Sequence, residues 1–526
     1  MAGAPVPRRP VDRGLRLVVA VVGAAFLAGY VAIAIARMRY PYELEWIEGG
    51  VVGDVRHVLG GHALYGKPSL HFIPYIYTPL YYYVAAVPAK ILGAGFFPLR
   101  LVSFIASLAA FALVGALVRI ETKDNLTAFV SACFFAACFR RGGAWFDLAR
   151  VDSFFVAVLF AGLLVARRAR TSRGAAAAGV LLTLAFLSKQ AALFPALAVV
   201  VFLWRRRRAL ALWYAGVLGA GLAVSTVALD LWTHGWYRFY VFDMPAAHEI
   251  VTQEYGQFWT DDLLAPLGIA LVIGLVGLWW TTRVRTDDGI AAAWFHVPVF
   301  VGLLVAAYQG RLHSGGYDNV LFPAFGAVAL AVGLGLHATS VVAAGATTRR
   351  RVPGVALIAP LALLLTTVQL VTLTYDPWAQ VPSAGQHRTG DRMLAALRDL
   401  PGTVYLPGHS EYLIRAGKEG SVQSAALEDV IRADVRGNGK ALARELNRAV
   451  VSGRWDWIVV DSAPTFSYIP RSLRRAYVAV GTLVPRRHPP LPLTGTLTGP
   501  LTVWARRTPP PPGGVPASLV PLPGTG

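Results

Sequence analysis

The chain has 526 residues, of which 55% are hydrophobic and only 15% are charged. Because soluble globular proteins carry about 25% charged residues, this composition excludes an ordinary soluble protein. A mean hydropathy of +0.52 and recurring long apolar runs indicate a polytopic membrane protein instead. The formal charge of +20 does not favour nucleic-acid binding, since the arginines form short clusters between the apolar runs. Cys133 and Cys138 lie within one apolar run, so neither a disulfide framework nor a zinc site is indicated.

The apolar runs predict an all-α membrane fold with about eleven spanning helices. The first run follows basic residues but lacks a small-residue cleavage site, so we interpret it as a retained first helix rather than a signal peptide. Two of the runs are short for a bilayer core of about 30 Å. The predicted spans are residues 17–36, 101–118, 126–139, 153–166, 174–187, 191–204, 209–229, 263–281, 289–308, 319–337 and 353–374.

The loops between these spans differ in their content of lysine and arginine. Alternate loops concentrate basic residues, as in the run of four arginines at 205–208, and such loops face the cytoplasm in membrane proteins. This pattern predicts a cytoplasmic N-terminus and an extracytoplasmic C-terminal part in a cell (inner or plasma) membrane. Counting residues 77–92 as a span would place every later loop on the opposite side of the membrane and so put the arginine clusters outside. We therefore interpret residues 77–92 as an amphipathic or re-entrant helix at the outer interface.

Composition divides the chain into three parts. Residues 1–375 form the predicted transmembrane domain, with large outer loops at 37–100 and 230–262. Residues 376–508 are more polar, and strand-like segments at 403–406 and 458–460 alternate with helical patterns, which predicts a small outer α/β domain. Residues 509–526 are rich in proline and glycine and are predicted to be disordered.

Polar residues that could carry chemistry follow the outer ends of several predicted spans. Lys189 is notable because it lies between two apolar runs, where a charge is costly unless it faces a polar cavity or a partner. His409 begins a His-Ser-Glu sequence like part of a hydrolase triad, but no nucleophile elbow accompanies it. The candidates on the outer face are Glu45, Glu48, Asp147, Arg150, Asp152, Lys189, Arg311, His313, Tyr317 and Asn319, with Tyr77 and Tyr81 in an aromatic run at 75–83.

Such a set suits transfer of a group from a lipid-linked phosphate donor. Carboxylates of the first outer loops can act as a general base on an acceptor hydroxyl or hold a divalent metal against the phosphate. Lys189, Arg150 and Arg311 can neutralise the phosphate leaving group as its charge develops. Aromatic side chains such as Tyr77 and Tyr81 can stack on sugar rings or acyl chains.

The order of these motifs resembles the GT-C superfamily of membrane glycosyltransferases, which use polyprenyl-phosphate sugars. The most similar branch is family 39, the protein O-mannosyltransferase and aminoarabinose-transferase-like group, and the resemblance covers residues 15–340. The segments that carry it are Glu-Trp-Ile-Glu-Gly at 45–49, Tyr-Thr-Pro-Leu-Tyr-Tyr-Tyr at 77–83, Ala-Arg-Val-Asp at 149–152 and Phe-Leu-Ser-Lys-Gln at 186–190.

The resemblance implies that an acid of the first outer loop is the catalytic base and that Asp152 belongs to a metal or phosphate site. The family usually has aspartate where this chain has Glu45 and Glu48. We favour Glu48 as the base, because Gly49-Gly50 allows close approach of backbone or substrate, with Glu45 as the second choice. Asp147 and Asp152 are the candidate ligands if a divalent metal, Mg²⁺ or Mn²⁺, takes part.

These observations predict an inverting glycosyltransferase that moves a sugar from a polyprenyl-phosphate donor to a lipid or glycan acceptor of the cell envelope. The alternative is a transporter or flippase for a lipid-linked or polar solute, but the span interiors carry few charges and no repeat is evident. A third possibility is a scaffold whose outer domain binds envelope polymer. A scaffold function would not explain the presence of Glu48, Asp152 and Lys189.

Overall fold

The computed structural model describes residues 10–349, 354–461, 470–485, 492–497 and 501–522. The chain is mainly helical, and a small sheet follows the last long apolar helix. The predicted fold class, a helical polytopic membrane protein with a small strand-containing part, is confirmed.

The first helices cover both apolar runs and outer loops. They are α1 (Pro10–Met38), α2 (Glu48–Leu59), α3 (Leu80–Leu92), α4 (Phe96–Thr122), α5 (Asn125–Ala137), α6 (Asp152–Arg168), α7 (Ser172–Ser188), α8 (Leu193–Arg206), α9 (Arg208–Trp232), α10 (Trp236–Arg238), α11 (Met244–Ala246), α12 (Glu254–Gln257), α13 (Ala265–Thr281), α14 (Ala293–Leu312), α15 (Phe322–Arg349) and α16 (Ile358–Thr372). Each of the eleven predicted spans falls on one of these helices.

Seven helical stretches within the described residues are long and apolar enough to cross a membrane. Local signals explain several helix starts in this part. The Asp124 carboxylate accepts the Leu126 amide at the start of α5, and the Thr171 hydroxyl accepts the Gly174 amide at the start of α7. The seven stretches are Asp12–Met38, Phe96–Thr122, Arg208–Trp232, Glu254–Thr281, Ala293–Leu312, Asp318–Gly345 and Val355–Thr372.

Helix α15 lies at the centre of the bundle, with 89% of its most apolar window buried. It packs against α13, α5, α14, α4 and α16. A Cβ added at Gly335 would lie 2.0 Å from the Ile273 carbonyl oxygen, and one at Gly277 would lie 2.4 Å from the Gly335 amide nitrogen. Helices α13 and α15 therefore touch backbone to backbone, a packing that small residues allow between membrane helices.

Helix α3 covers most of the segment that we expected at the outer interface. Its 13 residues, Leu80–Leu92, span about 20 Å at 1.5 Å per residue. That length is short for a bilayer core of about 30 Å, as the interfacial interpretation requires. Tyr81 and Tyr82 are buried against the rest of the protein.

The C-terminal part surrounds a four-stranded sheet in the order β1-β2-β4-β3, in which β1 and β2 are parallel and the other neighbours antiparallel. The predicted strands at 403–406 and 458–460 correspond to β1 and β2, whereas β3 and β4 were not predicted. Arginines precede β3, and β4 itself ends in Arg506, so their apolar pattern is interrupted by charge. The elements are α17 (Ala384–Asp399), β1 (Val404–Tyr405), α18 (Ser410–Arg415), α19 (Ser424–Ala433), α20 (Asn438–Val451), β2 (Trp457–Val460), α21 (Leu473–Ala476), β3 (Tyr477–Thr482) and β4 (Thr502–Arg506).

The segment after residue 508 differs from the predicted disorder as far as it is described. Val520 pairs with Thr482 at the edge of the sheet, and the Leu519 side chain is buried. Pairing with the open edge of the sheet and burial of the Leu519 side chain thus give an ordered position to a segment whose composition alone indicates disorder. Residues 523–526 of the predicted tail lie outside the described part.

Candidate active site

The loop between α1 and α2 carries the two candidate bases and is held in shape by a buried arginine of α4. Arg100 donates hydrogen bonds to the carbonyl oxygens of Tyr40 (2.6 Å) and Tyr42 (2.7 Å). The same guanidinium donates to both carboxylate oxygens of Glu48, at 3.0 and 2.6 Å. The Arg100 side chain therefore fixes the course of the loop and binds Glu48.

Glu48 has a complete set of partners besides Arg100. It also accepts the backbone N–H groups of Leu44 (2.7 Å) and Ala149 (2.8 Å), and its side chain is fully buried. Burial raises the pKa of Glu48, but the Arg100 guanidinium and these hydrogen bonds outweigh burial, so the pKa is lowered. Glu48 therefore acts as an anchor between the loop before α2 and the loop before α6, and it is poorly suited to accept a proton.

The glycines after Glu48 make room for side chains of this chain. A Cβ at Gly49 would lie 2.1 Å from the Glu43 Oε1 atom, and one at Gly50 would lie 2.2 Å from the Tyr75 hydroxyl. The close approach that we expected at Gly49-Gly50 thus occurs, and the groups that approach are the side chains of Glu43 and Tyr75.

Glu45 lies three residues earlier in a different environment. Its carboxylate accepts from Arg150 Nη1 (2.9 Å) and from the Ile47 amide (3.2 Å). Burial raises the pKa of Glu45 to about 8, although the Arg150 guanidinium lowers it and Glu48 raises it further. A carboxyl group with a pKa near neutrality can exchange a proton with a substrate hydroxyl under working conditions.

Asp152 connects three donors beside Glu45. It accepts from Lys189 Nζ (2.6 Å), Asn319 Nδ2 (2.9 Å) and Arg150 Nε (3.2 Å). These side chains come from the start of α6, the end of α7 and the segment before α15. Asp152 and Lys189 are therefore in direct contact.

Tyr77 completes this cluster of side chains on the side of α3. The Arg150 Nη2 atom lies 3.3 Å from the Tyr77 hydroxyl, and the Lys189 ammonium lies 5.6 Å from the centre of its ring. We call the set formed by Glu45, Tyr77, Arg150, Asp152, Lys189 and Asn319 the Asp152 cluster.

Three aromatic side chains cover one side of the Asp152 cluster. The Tyr317 ring lies 4.8 Å from the Trp46 ring and 6.2 Å from the Trp145 ring, and the two indoles are 5.7 Å apart. The Arg150 guanidinium lies over Trp145 at 4.5 Å. We call Trp46, Trp145 and Tyr317 the aromatic wall.

Arg311, His313 and Tyr81, also candidates from the sequence, engage other partners. Arg311 donates to Asp262 (2.9 Å) and to the Gly316 carbonyl (2.8 Å), and His313 contacts the Gln309 amide at 2.9 Å. The Tyr81 hydroxyl contacts Ser103 and the Leu99 carbonyl, both at 3.4 Å.

The carboxylates proposed as metal ligands are paired with cations. Both oxygens of Asp147 accept from Arg37, one of them at 2.7 Å, while the oxygens of Asp152 accept from the cluster donors. Within the described ranges, no group of three or more His, Cys, Asp or Glu side chains could hold a metal ion. Because amino and guanidinium groups occupy the oxygens that a cation would need, this donor set does not fit Mg²⁺ or Mn²⁺.

His409 of the C-terminal part lies beside a carboxylate of the loop between α1 and α2. Its Nδ1 atom contacts Glu43 Oε2, and its Nε2 atom lies 3.3 Å from Asp461 Oδ1. Burial lowers the pKa of His409, but the two carboxylates outweigh burial and raise it well above its usual value. His409 therefore links the two parts of the chain as a buried cation, and the resemblance to a hydrolase triad does not extend to this geometry.

Arg37 and Arg100 are the two site-supporting residues that sequence reasoning missed. Both sit at the ends of apolar runs, where arginines commonly reach the membrane surface. The signal that could have found them is an arginine directly beside a span on the acidic outer side, where the topology does not require positive charge.

The chain is similar to several known proteins. Residues 76–232 match the sequence model of a family described as dolichyl-phosphate-mannose-protein mannosyltransferase. No curated protein sequence matches the chain significantly. The crystal structure of ArnT from Cupriavidus metallidurans bound to undecaprenyl phosphate matches with 14% identity and a TM-score of 0.55, covering 92% of this chain and 98% of that one.

A weaker match is the oligosaccharyltransferase AglB from Archaeoglobus fulgidus, in complex with an inhibitory peptide and a dolichol-phosphate. It has 12% identity and a TM-score of 0.47, and the match covers 83% of this chain and 69% of that one. The resemblance to the GT-C superfamily of membrane glycosyltransferases is thus confirmed, by a family match over residues 76–232 and by the fold that the chain shares with ArnT.

Proposed function

We propose that this protein transfers a sugar from a polyprenyl-phosphate donor to a lipid or glycan acceptor of the cell envelope, at the extracytoplasmic face of the membrane. The observation that carries the proposal is the Asp152 cluster, in which Arg150 contacts both Glu45 and Asp152, and Lys189 contacts the other Asp152 oxygen. The basic loops on the opposite side support the assignment of the face. The shared fold of ArnT, in a structure that contains undecaprenyl phosphate, supports the donor class.

The charge of the Asp152 cluster suits a phosphate group. Near neutral pH Glu45 is mostly protonated, because its pKa is raised to about 8. Lys189 and Arg150 then carry two positive charges against the single negative charge of Asp152. The remaining positive charge attracts the donor phosphate, and the Asn319 amide adds a neutral hydrogen-bond donor.

The proposed reaction is a single displacement at the anomeric carbon. The acceptor hydroxyl attacks opposite the phosphate while ionised Glu45 accepts the hydroxyl proton. The bond from the anomeric carbon to the phosphate oxygen breaks, and its electron pair leaves with the phosphate. Lys189 and Arg150 neutralise this charge as it develops, and attack from the opposite face inverts the configuration.

The structure leads us to place the base at Glu45 rather than Glu48. Glu48 is bound by Arg100 and by two amides, so proton acceptance would break a buried ion pair. Glu45 has the raised pKa and belongs to the Asp152 cluster. No step is assigned to a metal ion, because the carboxylates that could bind one are held by Arg37, Arg150 and Lys189.

The proposal is tested with purified protein in lipid, a radiolabelled polyprenyl-phosphate sugar and measurement of released polyprenyl phosphate. We expect Lys189→Met to lower turnover and weaken donor binding, because it removes one charge that faces the phosphate. Arg311→Met is the matched control, since Arg311 is paired with Asp262. Equal activity of Lys189→Met and the wild type would refute the assigned phosphate site.

A further inference from the structure

The connection between β3 and β4 reaches from the C-terminal sheet to the outer loops of the membrane part. It comprises residues 483–501, whereas hairpin loops commonly have two to five residues. Within it, we call residues 492–497 the strap, because its residues Thr494, Gly495 and Thr496 contact the aromatic wall. Long connections inside a folded unit are commonly functional, which makes the contacts of the strap informative.

Thr494 anchors the strap. Its backbone amide donates to the Leu44 carbonyl oxygen at 3.1 Å, next to Glu45. Its hydroxyl accepts from the Trp145 indole N–H at 2.9 Å and donates to the Gly143 carbonyl. The anchor thus joins the loop of Glu45 to the loop that leads to Arg150.

The next two residues of the strap cover the rings of the wall. A Cβ added at Gly495 would lie 1.9 Å from the Trp46 ring, so the glycine is in direct contact with the indole. The Thr496 side chain hydrogen-bonds Tyr317. Under this cover the Trp46 side chain is only 3% exposed.

These contacts show what the aromatic wall can bind. Trp46 offers an apolar ring in contact with a C–H group, and the Trp145 indole N–H donates to a hydroxyl. The neighbouring Gly143 carbonyl accepts from the same hydroxyl, and Tyr317 lies beside a second one. A sugar ring presents this combination of an apolar C–H face and neighbouring hydroxyl groups.

We propose that the aromatic wall is a saccharide-binding subsite, and that the strap occupies it and must leave before a sugar can bind there. The inference rests on the proposed function for the role of the sugar in transfer, but binding of the sugar can be measured without any transfer. The apparent affinity of the subsite is then reduced by the fraction of molecules in which the strap is in place.

The test uses the full-length protein in detergent and saturation-transfer NMR with methyl α-D-mannopyranoside as the probe. Gly495→Ala should displace the strap, because the new methyl group collides with the Trp46 ring. The matched control is Gly514→Ala, since Gly514 has nearly the same backbone φ (+73° against +75°) but no atom within 4 Å of its added Cβ. Thr494→Val is a second variant, which removes the hydroxyl contacts while it keeps the side-chain size.

We expect about a tenfold lower apparent dissociation constant for the probe in Gly495→Ala and in Thr494→Val, with no change in Gly514→Ala. Adding Trp46→Ala to Gly495→Ala should abolish binding. Equal binding by the wild type and all three single-site variants would overturn the strap proposal, and so would weaker binding in the two strap variants. If Gly495→Ala and Gly514→Ala transfer sugar at the same rate, the strap proposal is also overturned, whereas the proposed function stands. Tighter probe binding without transfer would support the subsite and refute the proposed function.

Discussion

The rate of sugar transfer should rise with pH as the Glu45 carboxyl group loses its proton. Burial raises the pKa of Glu45 to about 8, and only the ionised form can accept the proton of the acceptor. At about pH 7 the rate should therefore be roughly a tenth of its plateau, which is reached above about pH 9. A pH–rate profile under saturating donor checks this expectation. A rate that falls from about pH 6 to 9 would contradict ionised Glu45 as the base.

Loss of the Glu48 charge should affect stability more than chemistry. Glu48→Gln leaves Arg100 buried without its counter-charge, and breaking a buried pair in this way costs about 3–5 kcal/mol. We expect a clearly lower thermal unfolding temperature in detergent, measured by tryptophan fluorescence. Unchanged stability together with lost turnover would return the role of base to Glu48.

At the residue scale, the sequence identified the participants of the site better than their roles. Lys189 stood out because a charge between two apolar runs needs a partner, and that partner is Asp152 at 2.6 Å. The choice between Glu45 and Glu48 depends on Arg100 and on the Ala149 amide, which approach from distant parts of the chain. No local pattern around residues 45–48 contains that information.

The contact between α13 and α15 gives a prediction at the scale of elements. Gly335→Ala should destabilise the protein by about 1–3 kcal/mol, because its Cβ would lie 2.0 Å from a backbone oxygen that cannot move alone. Gly268→Ala is the matched control, since Gly268 lies in α13 with no atom within 4 Å of an added Cβ. Thermal unfolding of the two variants provides the comparison. Equal unfolding temperatures would show that the helices do not approach this closely.

The long elements were predictable because apolar length is a property of the sequence alone. Each predicted span falls on a helix, and the short Leu80–Leu92 helix has the length of an interfacial one. Strands β3 and β4 were missed, since pairing between them and with β2 brings together residues that are separated by long connections. Contacts of the strap with Leu44 and Trp145 were likewise beyond any local pattern.

For the whole molecule, the distribution of basic loops predicts that the two ends of the membrane part face opposite sides. Arg173 and Ser452 are both exposed, and the native cysteines Cys133 and Cys138 are buried. In sealed vesicles, a membrane-impermeant maleimide should therefore label Arg173→Cys and Ser452→Cys from opposite sides. Labelling of both from the same side would contradict the proposed orientation and the outer location of the Asp152 cluster.

The most direct test of the account is the turnover of Glu45→Gln in protein that retains the wild-type unfolding temperature. Glutamine keeps the shape of Glu45 but cannot accept a proton at this position. We predict that release of polyprenyl phosphate from a labelled donor falls by about 10²–10⁴, while donor binding changes little. Wild-type turnover in Glu45→Gln would contradict the assignment of the Asp152 cluster as the active site.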